Sequence, residues 1–276
     1  MTDSAGQGRG SGLRLLLTHA LLILVCLVIL LPLLWVLRVS LLPPSLSYST
    51  DLSAPLSLVN FESLFSGRFP RSYLNSLVVA TGSVLLALPF AAATGYAFAR
   101  FTTGGAVARF SVLATQMLPP VVIALPIFQM FQTLDLSNTL TGLILAYAAL
   151  NLPFLTWILM GFFKGIPVDL EWAAMTDGAT AWGAFWRVVL PVSLPGLAAA
   201  GVLGFILAWN EFLFALILSG PNTATIPVAL AALQTSNGIQ IGDVAAGVVL
   251  AVLPLMIASR FIQRFIVEGL TLGSVK

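Results

Sequence analysis

Polarity along this chain changes in long blocks rather than every few residues. No charged side chain occurs among the 23 residues between Arg14 and Arg38, the 28 between Arg71 and Arg100, the 25 between Arg109 and Asp135, or the 28 between Asp135 and Lys164. A helix rises about 1.5 Å per residue, so about 20 apolar residues cross a bilayer core. Each block is long enough for one transmembrane helix. Nearer the C-terminus, Pro195–Ser219 and Val244–Phe265 read as two more, the first containing Glu211 and the second ending with Arg260 and Arg264 at its rim. The pattern predicts an all-α, polytopic membrane protein with one domain over residues 1–276 and spans at about 15–37, 73–99, 110–131, 140–163, 195–219 and 244–265.

The first block reads as a retained helix rather than a cleaved leader. Its apolar stretch from Ala20 to Leu37 is longer than a leader's apolar region, and Leu41-Leu42-Pro43-Pro44 follows in place of a small-residue cleavage site. Six spans put both termini on one side, which holds nine Lys and Arg residues (Arg9, Arg14, Arg100, Arg109, Lys164, Arg187, Arg260, Arg264, Lys276) against Arg38, Arg68 and Arg71 on the other. The positive-inside rule makes that side cytoplasmic. The outside segment 39–72 carries Pro43, Pro44, Pro55 and Pro70 with Phe61, Phe65 and Phe69, and is expected to lie along the membrane surface.

Composition then narrows the chemistry. With 59% hydrophobic and 8% charged residues, the chain has too few charges to cover a water-exposed surface. That excludes an ordinary soluble enzyme and a disordered chain, and a net charge of +2 is too small for phosphate-driven nucleic-acid binding. Cys26 and His19 are the sole cysteine and histidine, so neither an internal disulfide nor a Cys/His metal cluster can form. No G-x-S-x-G is present, and a membrane hydrolase is disfavoured.

Residues 164–194 stand apart. Five charges fall between Lys164 and Arg187. Pro167 suits the first turn of a helix, Asp169 and Glu171 suit its N-terminal end, and Asp177-Gly178 marks a turn. Beyond it, Trp182, Phe185, Trp186 and Val189 follow at i, i+3, i+4 and i+7, an apolar stripe on a second short helix that Leu190-Pro191 ends. Such a stripe packs on the chain's own helix ends, dips into headgroups, or docks a soluble cytoplasmic protein.

The run from Pro167 to Ala179 (Pro-Val-Asp-Leu-Glu-Trp-Ala-Ala-Met-Thr-Asp-Gly-Ala), with Phe185, Val189-Leu190-Pro191 and Pro195, resembles the EAA loop of ABC import permeases, and most closely the smaller membrane subunit of maltose-type carbohydrate systems. Asn75-Ser76-Leu77, Gly95-Tyr96-Ala97-Phe98-Ala99-Arg100, Pro119 and Pro126, Trp209-Asn210-Glu211-Phe212 and the C-terminal run from Gly269 to Lys276 extend the resemblance over about residues 20–276. It implies the type I importer permease fold and a sugar importer in which Glu171, Trp172, Ala173, Ala174, Asp177, Gly178, Ala179 and Phe185 couple the membrane helices to an ATPase. The tail, residues 268–276, would reach between the ATPases through Gly273 and Lys276. Read without the resemblance, a tail so short frays. The chain departs from the family at Trp172, where an acid often stands; Glu171 or an apolar contact from Trp172 then replaces the acid's contact.

The resemblance further implies a second permease subunit in a heterodimer, two cytoplasmic ATPase subunits and an extracytoplasmic sugar-binding protein, in a cell (inner) membrane. The chain has no G-x-x-x-x-G-K-[ST] phosphate loop. It is therefore expected to be a transport subunit rather than an enzyme, with no cofactor of its own; ATP and magnesium belong to the partner ATPases. Polar groups inside the spans are candidates for the substrate path: Gln116, Tyr147, Asn151, Asn210 and Glu211. Each also suits a hydrogen bond between helices. Pro119, Pro120 and Pro126 are expected to interrupt the third span. The alternative is a secondary carrier for a small polar solute, but carriers usually hold several intramembrane ionisable groups, and Glu211 stands alone.

Overall fold

The computed structural model describes residues 7–101, 104–235 and 238–273. Four of its helices are long and apolar enough to cross a membrane: Arg14–Ser40, Phe69–Arg100, Leu140–Gly165 and Ile241–Arg260. Two bent pairs raise the number to six if each is one span: Gly105–Met117 with Pro120–Thr133, at 91°, and Ala181–Val192 with Leu194–Trp209, at 71°. Two-residue strands, Gln234–Thr235 and Gly238–Ile239, form a small hairpin in an otherwise helical chain. The residues fall into two compact units.

The first unit comprises Met1–Gly67 and Leu233–Leu250. Its helix α1 (Gln7–Ser40) is apolar on every side over residues 20–37, and Leu15–Leu34 are exposed throughout. A helix of that kind is soluble only in lipid or against other apolar helices. It ends where Arg38 lies over the Trp35 ring at 5.2 Å and donates to the Ser49 carbonyl at 3.1 Å. The helix α2 (Val59–Ser66) is held by Asn60, whose buried amide donates to the carbonyls of Ser40 (2.9 Å) and Leu42 (2.7 Å). Of the three aromatics expected on a membrane surface, Phe65 is exposed, Phe61 is half-buried and Phe69 is buried.

The second unit comprises Arg68–Ala232 and Ala251–Lys276. Its centre is the pair α3 (Phe69–Arg100) and α6 (Leu140–Gly165), with α10 (Leu194–Trp209) packed on both. Small residues make the seam. A Cβ on Gly95 would stand 3.0 Å from the Met160 amide and the Thr156 carbonyl, and one on Gly204 3.1 Å from Leu155. Lipid provides no hydrophobic drive for helices to associate, so close backbone approach supplies dispersion contact instead. Gly95→Val should therefore cost about 1–3 kcal/mol through overpacking, read as a lower melting temperature in detergent. Gly161→Ala, where a Cβ meets nothing within 4 Å, should be neutral or slightly stabilising.

The third span is broken at Pro119 and Pro120, as expected, but not at Pro126, which lies inside the helix that follows them. Helices α4 (Gly105–Met117) and α5 (Pro120–Thr133) meet at Leu118-Pro119, because Pro119 and Pro120 donate no amide hydrogen bond. The fifth expected span, 195–219, is also interrupted. The helix α10 stops at Trp209, and α11 (Leu213–Leu218) resumes after Asn210–Phe212. Between α6 and α10 lie the short helices α7 (Asp169–Thr176), α8 (Ala181–Ala184) and α9 (Leu190–Val192), with a π-helical turn at Phe185–Val189 joining the last two. A further helix, α12 (Ile226–Ala231), precedes the hairpin. The last helix, α13, runs from Ile241 to Gly273, so the expected tail is helical through Gly273; Lys276 lies outside the described residues.

Candidate functional site

Two sites emerge, both within the second unit. The first is built on α7 to α9. The helix α7 ends in paired hydrogen bonds from the Gly178 amide to the Met175 carbonyl and from the Ala179 amide to the Ala174 carbonyl, each 3.0 Å. This is the Schellman closure, which needs a left-handed residue at Gly178, where φ is +91°. The helix α8 then starts at Thr180, whose hydroxyl accepts from the Gly183 amide at 3.1 Å.

The inner side of this segment is pinned to α3. The Glu171 carboxylate accepts from Tyr96 Oη at 2.6 Å and from Arg100 Nε at 2.5 Å. Arg100 Nη2 also donates to the Ile166 carbonyl at 2.8 Å. Phe185 sits beside the Tyr96 ring, centroids 4.6 Å apart, in a buried cluster with Phe163, Val189 and Leu197. Glu171 and Phe185 are 6% and 3% exposed and hold the segment to the helix bundle.

The outward face is different. Trp172 is 60% exposed, and Ala173, Asp177 and Gly178 are exposed beside it, with Ala174 and Ala179 half-buried. The stripe expected to run through Trp182, Phe185, Trp186 and Val189 is split. Phe185 and Val189 are buried, whereas Trp182 and Trp186 are exposed. Phe185 and Val189 form one edge of the stripe, which packs into the buried cluster, and Trp182 and Trp186 form the other edge, which the bundle leaves uncovered.

The second site is a cavity of about 280 Å³. Gln116 from α4, Tyr147 and Asn151 from α6, and Glu211 from the break between α10 and α11 all line it, together with apolar residues such as Ile123 and Leu207. Four of the five polar residues expected on a substrate path thus converge. Each also makes a hydrogen bond that fixes its place. Gln116 Nε2 donates to the Leu150 carbonyl at 2.9 Å, Tyr147 Oη to the Glu211 carbonyl at 3.4 Å, and Asn151 Nδ2 to the Gly204 carbonyl at 3.5 Å. The fifth, Asn210, does not join them. It is exposed, and its side-chain amide turns back to the Ile206 carbonyl at 2.7 Å, which also accepts from the Asn210 backbone amide at 3.2 Å at the end of α10.

Glu211 is held by backbone, not by a cation. Its carboxylate accepts from the amides of Phe214 (3.0 Å) and Ala215 (3.1 Å), the unpaired first-turn donors of α11. A charge beside a helix N-terminus is stabilised by those amides and by the helix dipole. The apolar run around Glu211 hid this break. Sequence reasoning also left Asn75 and Ser76 without a role. Asn75 donates to the carbonyls of Asn222 and Ala224, each at 3.0 Å, and Ser76 accepts from the Ile226 amide at 2.8 Å, tying the loop before α12 to α3.

Residues 83–271 match the family of binding-protein-dependent transport system inner membrane components. The trehalose transport system permease protein SugB of Mycobacterium tuberculosis (strain CDC 1551 / Oshkosh) is 36% identical over 253 residues, 90% of this chain and 92% of that one. The trehalose/maltose transport system permease protein MalG of Thermococcus litoralis is 33% identical over 264 residues, 92% of this chain and 94% of that one. Among solved structures, a chain of a bacterial ABC transporter that imports the acidic polysaccharide alginate superposes with a TM-score of 0.73, covering 96% of this chain and 99% of its own. At 22% identity that likeness is one of fold.

Proposed function

Because the chain belongs to the family of binding-protein-dependent transport system inner membrane components, we propose that it forms half of the translocation pathway of an ATP-driven sugar importer and is driven by a cytoplasmic ATPase through residues 167–191. The observation that carries the coupling reading is the two-sided build of α7. Glu171 and, beyond the turn, Phe185 anchor the segment inward, while Trp172, Ala173, Asp177 and Gly178 stay open outward. Small residues and a tight turn allow another protein's backbone to come close. Since Glu171 is spent on Arg100 and Tyr96, Trp172 makes the outward contact in place of an acid.

In this reading the ATP and its magnesium are held by two separate ATPase subunits, a second permease completes the path, and an outside binding protein delivers the sugar. Gly273 and the tail to Lys276 contact the ATPases. The bias of Lys and Arg places both termini in the cytoplasm. A sugar is supported by the relatives named for trehalose and maltose, and by a cavity lined with amides, a phenol, the Glu211 carboxylate and apolar groups, with no Lys or Arg among the described residues that line it. Amides bond hydroxyls, and apolar surfaces pack on the C–H faces of a pyranose. The absence of a basic residue disfavours a phosphorylated solute.

The test is a cysteine at position 172 in the assembled transporter, with Cys26 replaced by serine. A thiol cross-linker should join position 172 to the ATPase subunit, with a yield that changes when ATP is added. Cross-links confined to lipid or to this chain's own helices throughout the ATP cycle would remove the coupling assignment.

A further inference from the structure

We propose that Tyr96, Arg100 and Glu171 are positioning residues that carry displacement of α7 into α3, and through α3 to the helices lining the cavity. The inference rests on the reading of residues 167–191 as a segment moved by an ATPase. Three kinds of attachment join the α7–α9 segment to the bundle: the chain links, to α6 at Gly165–Val168 and to α10 at Ser193; the apolar packing of Phe185 and Val189; and the carboxylate of Glu171. The first is a single strand of backbone at each end. The second is a contact between apolar groups, which can slide past each other at little cost. The third is directional.

Both carboxylate oxygens are used. Oε2 takes the Tyr96 hydroxyl and Oε1 takes Arg100 Nε. The two donors are four residues apart, on the same face of one helix end. Arg100 also grips the Ile166 carbonyl, so one guanidinium spans the joint between α6 and α7. Charge-assisted bonds of this kind have fixed lengths and angles. The Arg100 and Glu171 side chains are each 8% exposed, so water cannot take the place of either partner, and separating them leaves a buried charge unpaired. The tie therefore moves as a piece.

What it moves is connected to the cavity by contact. Gly95, next to Tyr96, brings α3 against the α6 backbone at Thr156 and Met160. Further along α3, Val84 meets α10 at Gly204. The helix α6 carries Tyr147 and Asn151, and Glu211 follows the end of α10. A pair that merely kept the loop folded would affect assembly; a pair that transmits motion affects the cavity's response to ATP in a complex that still assembles.

The experiment uses the complete transporter with its co-expressed subunits, carrying Cys26→Ser and Leu207→Cys, the second on the cavity wall. The rate at which a membrane-impermeant maleimide labels position 207 is measured with and without ATP and magnesium. In the otherwise unaltered complex the rate should change on ATP addition. Glu171→Gln should reduce that change about tenfold, within the usual range of inter-site coupling, and Arg100→Glu with Glu171→Arg should restore part of it. If Glu171→Gln fails to assemble, Tyr96→Phe removes one bond and keeps the ion pair; it should weaken the response by a smaller factor. An ATP response unchanged in an assembled Glu171→Gln complex, or in Tyr96→Phe where that is the variant read, overturns this inference alone. No ATP response in the unaltered complex overturns the ATPase reading beneath it as well.

Discussion

Gly178→Asp is expected to abolish ATP-driven uptake, to below about one hundredth of the unaltered protein, while the chain still inserts in the membrane. Two costs combine. At φ +91° a side chain strains the backbone by about 1–2 kcal/mol. The chain itself has room, since a Cβ at this position meets nothing within 4 Å. The remaining cost therefore falls on whatever docks outside, where an unmatched charge costs several kcal/mol. About 2.7 kcal/mol already corresponds to a hundredfold. Gly178→Ala separates the two costs, and should lower uptake only severalfold. The measurement is sugar uptake by proteoliposomes holding the whole transporter, with trehalose and maltose tried first, alongside the amount of membrane-inserted protein. Full uptake by Gly178→Asp would show that nothing docks at this turn.

Glu211→Ala is expected to lower uptake about tenfold or more. It leaves the Phe214 and Ala215 amides without their acceptor, at about 1–3 kcal/mol for each unmet group. The first turn of α11 would then shift, and with it the cavity wall at Phe214. Glu211→Gln keeps one carbonyl oxygen that can accept from either amide, so it should retain a sizeable share of transport. This contrast separates a structural anion from a proton carrier. A carrier that depends on titration of Glu211 would lose transport equally in both variants, because neither substituent titrates. Equal and complete loss in both would favour the secondary carrier.

The long helices were readable because lipid imposes a coarse rule: some twenty residues without charge. Arg71 to Arg100 and Asp135 to Lys164 bracket α3 and α6 within a few residues. The short elements of 167–191 were readable for another reason. Pro167, Asp177-Gly178 and Leu190-Pro191 act through local backbone geometry, which neighbours in sequence decide. What escaped depends on distant partners. Glu171 is turned inward by Arg100, 71 residues earlier, and no spacing within the loop reveals that. The split between Phe185 and Trp186 depends on Tyr96 and Phe163, which lie far away in sequence and cover one edge of the stripe. In the cavity, Gln116, Tyr147, Asn151 and Glu211 were recognisable because polar groups in apolar spans are costly. The seclusion of Asn210 was not, because Asn210 and Glu211 are adjacent and both polar, and only the helix break sends the Asn210 amide back to a carbonyl of α10 and the Glu211 carboxylate forward to amides of α11.

The bare sides of Leu15–Leu34 and the narrow seam at Gly95 place opposite demands on inherited variation. Among the described residues of its own unit, no side chain shapes a socket around the first stretch, so Leu, Ile, Val and Phe can replace one another there with oiliness as the main criterion. At the seam a single added methyl group meets main-chain atoms that cannot step aside. Drift should therefore scramble the one and leave the other nearly untouched, although both are equally greasy.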